Sequence, residues 1–577
     1  MIKENKLFVL LTFSLIISCS GINNDRTIMI PMRDRINLST LLIFPKTNKE
    51  KLPVIFIRTP YQKERLAAYY NYFVENGYVL AIQDVRGRFD SEGEFEPFVN
   101  EGKDGYDAIE WIASQKWCDG NIGMIGMSYD GWVQYCAAVE RPPHLKTIIP
   151  NCAIVDLFYD LPYRFGIFNA YSLLWSDIIE SEATSDASGR RLQEIYAKNW
   201  EQLLKQQPVS ELDTKVLSKK LDYYQKWVHH DSKDDYWKQS CFLERIKEIE
   251  IPVFIQSGWF DTQLLNSKLA YNALIKSGNK NVKMIIGPWT HGDRESKYYK
   301  GQLIGEAADD VNLQNQYIRW FDYWLKGDRN GIPDEPKVQL YALKSDKWIS
   351  GNTYPLEITA DKKLYLSSAN GALLKASSGD LLFNNEEIKN GIDKYLYNPE
   401  NVVEYKKDME GNFGIFKEIL KKREDYLFYK SSPFENETTI AGQISAKIFA
   451  SSNAVDTDWF IILMALDDND NFVDNICFGM LRAKFRNSLE KPELLEKDKI
   501  YQFDIDLNHY CITLEKGQKI GLIITSSFLY PYFAKNLNTG KNNQTEIEYK
   551  IAEQKIYHTK EYGSFITIPI VNDDQKK

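Results

Sequence analysis

Metal-ligating residues are scarce in this chain. Six histidines occur in 577 residues, at positions 144, 229, 230, 291, 509 and 558. His229 and His230 are adjacent, so on a helix they point about 100° apart and do not converge on one ion. Seven cysteines are scattered with no CxxC pair, which excludes a zinc ribbon or a dense disulfide framework. Cys118, Cys136, Cys152, Cys241, Cys477 and Cys511 read as buried free thiols. Positive charge is not in excess: the net charge is −9, so no basic surface is on hand to neutralise phosphates and a nucleic-acid partner is excluded. The acidic run DDNDNFVD at 467–474 lacks the sixth-position glycine and twelfth-position glutamate of a calcium loop, and reads as a hairpin turn. Internal repeats and low-complexity tracts are absent. Long apolar runs are limited to residues 7–17, too short to span a bilayer permanently.

What is present is ordinary in bulk and informative in detail. Hydrophobic residues make up 44% and charged residues 26%, as in a globular protein, and the length calls for two or three domains. Aromatics reach 13%, with 35 Tyr and 13 Trp, which fits apolar pockets as well as large β domains. The run at 7–17 follows Lys3 and Lys6 and has the length of a signal peptide. It closes on Ile16-Ile17-Ser18-Cys19, which resembles the lipobox of bacterial lipoproteins. The expectation is a signal peptide over 1–19, a lipidated Cys19 at the start of the mature chain, and a polar tether over 20–26. The protein would then be exported and membrane-associated through that lipid, on the periplasmic or cell-surface side.

From residue 27 the pattern predicts an α/β domain. Residues 27–45 read as a hairpin around Arg33-Asp34-Arg35. Strands are predicted over 52–57, 78–83, 122–125, 252–256 and 282–286. Helices are predicted over 65–76, 103–115, 264–277 and 312–325. Buried strands alternating with helices imply a parallel sheet covered on both faces. The alternation stops over 155–237, which is helical and aromatic-rich and reads as a cap inserted over the carboxyl edge of the sheet. The α/β domain is thus assigned to 27–154 and 238–354. Short alternating runs with polar turns over 355–577 predict a jelly-roll β-sandwich.

The chemistry centres on Gly126-Met127-Ser128-Tyr129-Asp130-Gly131, between a predicted strand and a helix. A nucleophile elbow needs small residues beside a strained serine, and Gly126 and Gly131 supply them, although the second glycine comes one place later than in G-x-S-x-G. A serine needs a base, and the base an orienting carboxylate. His291 follows the strand at 282–286 and Asp261 follows the strand at 252–256. The order Ser128, Asp261, His291, each after a predicted parallel strand, is the order of α/β-hydrolases. Singly, each has a plain alternative: a turn serine, a helix N-cap, a loop histidine. Jointly they predict a triad. The N–H of Tyr129 is one oxyanion donor by position. The loop after the strand at 52–57 carries Thr59-Pro60-Tyr61 in place of a glycine-rich motif, so the Tyr61 hydroxyl is the candidate second donor.

Several segments together resemble a known family. Arg58-Thr59-Pro60-Tyr61, Gln83-Asp84-Val85-Arg86-Gly87, the run from Trp117 to Met124, Gly126-x-Ser128-Tyr129-x-Gly131 and Gly287-Pro288-Trp289-x-His291-Gly292 are similar to the cocaine esterase / Xaa-Pro dipeptidyl-peptidase family of serine hydrolases. That family includes α-amino-acid ester hydrolases and glutaryl-7-aminocephalosporanic acid acylases. The displaced glycine is the family's normal form. Ala450-Ser451-Ser452, Asp456-Thr457-Asp458 and Asn536-Leu537-Asn538-Thr539-Gly540 resemble its jelly roll. The resemblance implies an α/β-hydrolase domain with a helical cap and a C-terminal jelly roll, a Ser128–Asp261–His291 triad, and an oxyanion hole of Tyr61 hydroxyl and Tyr129 N–H. The implied reaction is acyl transfer through Ser128 on a small ester or amide, with no metal or organic cofactor.

The acyl preference stays open at this level. Phe158, Tyr159, Tyr163, Phe165, Phe168 and Trp175 in the cap, with Trp259 and Phe260, are candidate pocket residues, and equally candidates for core packing. Asp130, Asp156 and Asp160 are candidate anchors for an α-amino group. Xaa-Pro peptide cleavage is one alternative. Another is a surface lipoprotein that binds glycans through its β domain. Oligomeric state leaves no mark in the sequence.

Overall fold

The computed structural model describes residues 25–182, 206–293, 296–299, 302–373, 378–402, 421–528 and 533–572. The expected signal peptide, Cys19 and nearly all of the tether lie outside the described residues, as does the middle of the cap.

A hairpin of β1 (Arg26–Pro31) and β2 (Asn37–Ile43) turns at the expected Arg-Asp-Arg, with Arg35 at φ 71°. It feeds a ten-stranded mixed sheet. Seven strands run parallel in the order β4 (Val79–Asp84), β3 (Leu52–Thr59), β5 (Cys118–Met127), β6 (Leu145–Asn151), β9 (Val253–Phe260), β10 (Val282–Thr290) and β13 (Val338–Ala342). The hairpin on one edge and β14 (Lys347–Gly351) on the other are antiparallel. Successive side chains of a strand face opposite sides, and β3 shows the result. Val54 and Phe56 enter one core, while Ile55 and Ile57 enter a second core on the other face. Burial on both faces accounts for the unbroken apolar runs that marked these strands in the sequence. Helices α1 (Lys63–Glu75), α2 (Glu101–Ala113) and α3 (Tyr129–Val139) follow β3, β4 and β5. Every residue of α3 is buried, so the helix after the elbow is the centre of the domain.

Strand β6 has no counterpart in the sequence reading. It follows Pro142-Pro143 and carries Pro150, and these prolines disguise a buried strand. It matters because it lies between β5 and β9 in the sheet.

The cap departs from the sheet after β6. It holds a two-residue hairpin, β7 (Tyr163–Arg164) and β8 (Ile167–Phe168), helix α4 (Tyr171–Glu182) and short helices at Leu212–Leu217 and Asp222–His229. The hairpin turns on Phe165 and Gly166, both at positive φ (48° and 82°), as its two-residue loop requires. A small hairpin of β11 (Tyr298–Tyr299) and β12 (Gln302–Leu303) follows β10.

Eleven strands, from β15 (Thr359–Ser367) to β25 (Phe565–Val571), build the C-terminal β domain. The DDNDN segment is the turn joining β20 (Asp458–Leu466) to β21 (Phe472–Arg482). Its Asp467 carboxylate accepts from the N–H groups of Asn469 (2.9 Å) and Asn471 (2.7 Å), as the hairpin reading anticipates. This domain docks on both other parts. Lys268 of the helix Leu264–Lys276 is almost wholly buried against Asp506, at 2.6 Å. Leu343 exchanges backbone hydrogen bonds with Cys511 and Thr513. The cap hairpin meets it too: the N–H of Arg482 donates to Phe165 O, and the N–H of Ala534 to Phe168 O. One hydrophobic core therefore runs through hydrolase domain, cap and β domain.

Gly166 is the tightest of these seams. A Cβ there would lie 2.1 Å from the Phe485 ring, at a φ that an L-residue adopts only with strain. Gly166→Ala is expected to destabilise the protein by about 1–3 kcal/mol, read as a lower urea midpoint. A midpoint equal to the parent's would refute the tight cap–β-domain contact.

Candidate active site

Ser128 has φ 62° and ψ −120°, a conformation that costs a non-glycine residue energy and needs support from its surroundings. The support is specific. The Ser128 N–H donates to Asn151 O (3.0 Å), and Ser128 O accepts from the N–H groups of Gly131 (3.0 Å) and Trp132 (2.9 Å). The displaced glycine now has a reason. A Cβ at Gly131 would lie 2.7 Å from Ala153 Cβ and 3.0 Å from Asn151 O, so position 131 is the one pressed against the end of β6. A Cβ at Gly126 would lie 2.6 Å from Asp130 Cβ. Asp130 is thus buried inside the bend against Gly126.

Asp261 lies just past β9 and His291 just past β10, adjacent strands. The ring Nδ1 of His291 is 2.9 Å from Asp261 Oδ1. The carboxylate is fully buried while the imidazole stays one-third exposed. Asp261 Oδ2 accepts from the Ser257 hydroxyl (2.9 Å), and Oδ1 also accepts from the Gln263 N–H (2.9 Å). Burial pushes this carboxyl up, but the charge and hydrogen bond of His291, with hydrogen bonds from the Cys152 thiol and the Gln263 N–H, hold it below its ordinary value. A charged, acceptor-only carboxylate demands a proton on Nδ1, which leaves Nε2 as the basic nitrogen.

Cys152, Asp261 and His291 bring ligand-type atoms within 4.8 Å of one another. Asp261 accepts hydrogen bonds from both of the others, so the grouping is an array centred on the carboxylate that orients the imidazole. Cys152 also joins the two halves of the site. It follows Asn151, whose carbonyl receives the Ser128 N–H. Ser257 and Cys152 escaped the sequence reading. Ser257 stands four residues before Asp261 on a strand, and Cys152 comes just after a strand that prolines hid.

The N–H of Tyr129 opens α3, and the first N–H groups of a helix have no partner within it. Tyr61 follows β3, which pairs with β5, so the loops bearing Tyr61 and Ser128 leave neighbouring strands. The motifs around them turn out to be scaffolding. Arg58 is fully buried and binds Glu101 Oε2 (2.6 Å) and Gln83 Oε1 (2.9 Å). The Tyr129 hydroxyl donates to Glu101 Oε1 (3.0 Å), which anchors the residue after the serine. Lys63 Nζ lies 2.7 Å from Asp84 and 2.7 Å from Asp90, closing the loop that carries Tyr61.

The pocket candidates separate. Trp175 reaches the site: its indole N–H donates to the Tyr61 hydroxyl at 2.9 Å. Phe260 stays beside His291, paired in register with Thr290 and stacked on Tyr299 (4.0 Å, 9°). Trp259 turns to the domain seam, donating to Tyr341 O (2.7 Å) and contacting His509 and Tyr510. Phe158, Tyr163 and Phe168 pack with one another and with Trp237 and Tyr224 in the cap core. Tyr159 and Phe165 meet edge to face. Asp156 is occupied by Lys233 (2.7 Å). Asp160 is buried and senses the charges of Arg164, Asp261 and His291. Of the remaining histidines, His144 pairs with Glu110 and His230 with Asp234, while His229 is tied to Gln225 O. His509 is bonded to the Tyr354 hydroxyl and His558 to Lys389 O.

Two family models cover most of the chain. The X-Pro dipeptidyl-peptidase (S15 family) model matches residues 34–293, and the X-Pro dipeptidyl-peptidase C-terminal non-catalytic domain model matches 330–567. The cocaine esterase of Rhodococcus sp. (strain MB1 Bresler) is 30% identical, over 94% of this chain and 98% of its own. The Xaa-Pro dipeptidyl-peptidase of Lactobacillus helveticus (strain DPC 4571) is 22% identical, over 71% of this chain and 52% of its own. Among solved structures, an aminopeptidase from a marine sediment Thaumarchaeota archaeon superposes with a TM-score of 0.81 at 22% identity, covering 95% of this chain and 96% of that one. An α-amino acid ester hydrolase superposes with a TM-score of 0.78 at 20% identity, covering 97% and 100%. These two share the fold. The chain belongs to the cocaine esterase / X-Pro dipeptidyl-peptidase (S15) family of serine hydrolases and is an enzyme of that class.

Proposed function

We propose that the protein cleaves an ester or amide by acyl transfer to Ser128. His291 Nε2 takes the serine proton and later returns it to the leaving group, and Asp261 holds the imidazole in the tautomer this needs. The tetrahedral oxyanion is held by the Tyr129 N–H and the Tyr61 hydroxyl. The observation that carries this reading is the 2.9 Å His291–Asp261 hydrogen bond beside a serine held in the strained elbow conformation. The test is turnover of a chromogenic panel by the chain lacking residues 1–19. The panel holds short and aromatic acyl esters, α-amino acid esters, a glutaryl amide and an Xaa-Pro anilide. Ser128→Ala is expected to abolish the activity. Asp261→Asn is expected to lower kcat by roughly 10⁴ with KM nearly unchanged, because its amide favours the wrong tautomer. Equal rates in parent and Ser128→Ala would sink the proposal, and binding of a glycan without turnover would favour the rival lectin-like reading.

Asp160 supports a narrower reading, an acyl group bearing an α-ammonium. Burial pushes its carboxyl up to about 7, Arg164 and His291 pulling it down and Asp261 pushing it up. Below that value it is neutral and above it an anion, so affinity for a cation rises with pH. KM for an α-amino acid ester is expected to fall between about pH 6 and 7.5, with no such fall for the ester lacking the amino group. Asp160→Asn is expected to remove that pH dependence and raise KM for the amino ester about tenfold. An Asp160→Asn variant with the parent's KM for the amino ester would refute a role for Asp160.

We also propose export and lipid anchoring at Cys19, from the apolar run and the cysteine that closes it. Labelling with a fatty-acid analogue in a bacterial host should mark the full-length chain and not Cys19→Ala.

A further inference from the structure

The Trp175–Tyr61 contact has a direction. An indole N–H only donates, so in this 2.9 Å bond the phenol oxygen of Tyr61 accepts. The Tyr61 proton is therefore aimed at a different acceptor. A hydroxyl that accepts one hydrogen bond also donates a stronger one, by about 10–30%.

Trp175 is itself immobilised. It is 7% exposed and lies nearly parallel to the Tyr129 ring (6.1 Å, 9°) and the Phe98 ring (5.3 Å, 28°). Tyr129 supplies the candidate backbone donor, so the indole meets the side chains of both residues that carry the candidate donors and hydrogen-bonds that of Tyr61 alone. Trp175 belongs to α4 in the cap, whereas Tyr61 belongs to the loop that follows β3. A second buried side chain joins those two elements. Arg88 donates from Nε to Pro60 O (3.0 Å) and from Nη1 to Ile179 O (3.0 Å). Pro60 immediately precedes Tyr61, and Ile179 lies one helical turn beyond Trp175. Arg88 thus ties together the two backbones whose side chains meet. Its guanidinium lies by the rings of Phe89 (5.0 Å) and Phe95 (5.2 Å), which restrict it further.

We propose that Trp175 and Arg88 are positioning residues for the oxyanion site. Trp175 fixes the direction of the Tyr61 proton, and Arg88 fixes the spacing between the loop and the cap helix that makes the contact possible. The oxyanion site is then complete only with the cap docked. This rests on the acyl-transfer reading above.

The experiment is a kinetic cycle on one chromogenic ester, using Trp175→Phe, Tyr61→Phe and the double variant. Trp175→Phe keeps an aromatic ring and removes the N–H. It is expected to lower kcat about tenfold with KM within about twofold, whereas Tyr61→Phe lowers kcat roughly 100-fold or more. In the Tyr61→Phe background, Trp175→Phe should change nothing, because no phenol remains to orient. Arg88→Met should likewise lower kcat in the parent and not in Tyr61→Phe. Losses that multiply in the double variants, or a Trp175→Phe effect confined to KM, would overturn the inference. Tyr61→Phe at the parent rate would overturn it as well, whereas Ser128→Ala at the parent rate would instead bring down the acyl-transfer reading itself.

Discussion

A serine at φ 62° and ψ −120° stays there only if the chain around it has no better alternative. Three contacts provide that: the β6 carbonyl of Asn151, the first turn of α3, and the close packing of Gly126 and Gly131. Strand β6 and the two residues just past it supply the acceptor for the serine N–H, the Cys152 thiol beside Asp261, and the Ala153 surface that demands a glycine. Ser128 and the Asp261–His291 pair are therefore referenced to one strand, and motion of that strand would disturb both.

The cap and the β domain are structural partners of the site as well as covers for it. α4 delivers Trp175 to Tyr61, and the cap hairpin is pinned by backbone bonds to the β domain at Arg482 and Ala534. Trp259, two residues before Asp261, is locked between Tyr341 and the β-domain residues His509 and Tyr510. Burial, and after it the nearby Lys268 charge, drive the His509 pKa well down, so this histidine stays neutral at the seam. The β domain thereby steadies the strand that leads into Asp261.

Buried charges beneath the loops follow a single pattern. Arg58, Glu101, Lys63 and Asp84 are almost fully removed from water, and each has an opposite charge within 2.7 Å. Isolated, any one of them would be costly to bury; paired and hydrogen-bonded, they define loop geometry. Their motifs stand out in the sequence, yet their job is to hold Tyr61 and Tyr129 in place.

The sequence by itself determined the alternation of strands and helices, the elbow, and the identity of Ser128, Asp261 and His291 as the residues at three strand ends. These are local properties: burial on both faces makes a strand apolar, and a strained turn demands glycine. The family was legible for the same reason, since its motifs are short and contiguous. What only the tertiary structure decided are relations between segments far apart in the chain. The strand β6 was hidden by prolines, and with it the part played by Cys152. That Trp175 faces Tyr61 while Trp259 faces the β domain depends on cap and domain packing, which no local pattern encodes. Asp156 and Asp160 look alike in sequence, yet a lysine 77 residues away pairs with the first, while the second is buried among the charges of Arg164, Asp261 and His291.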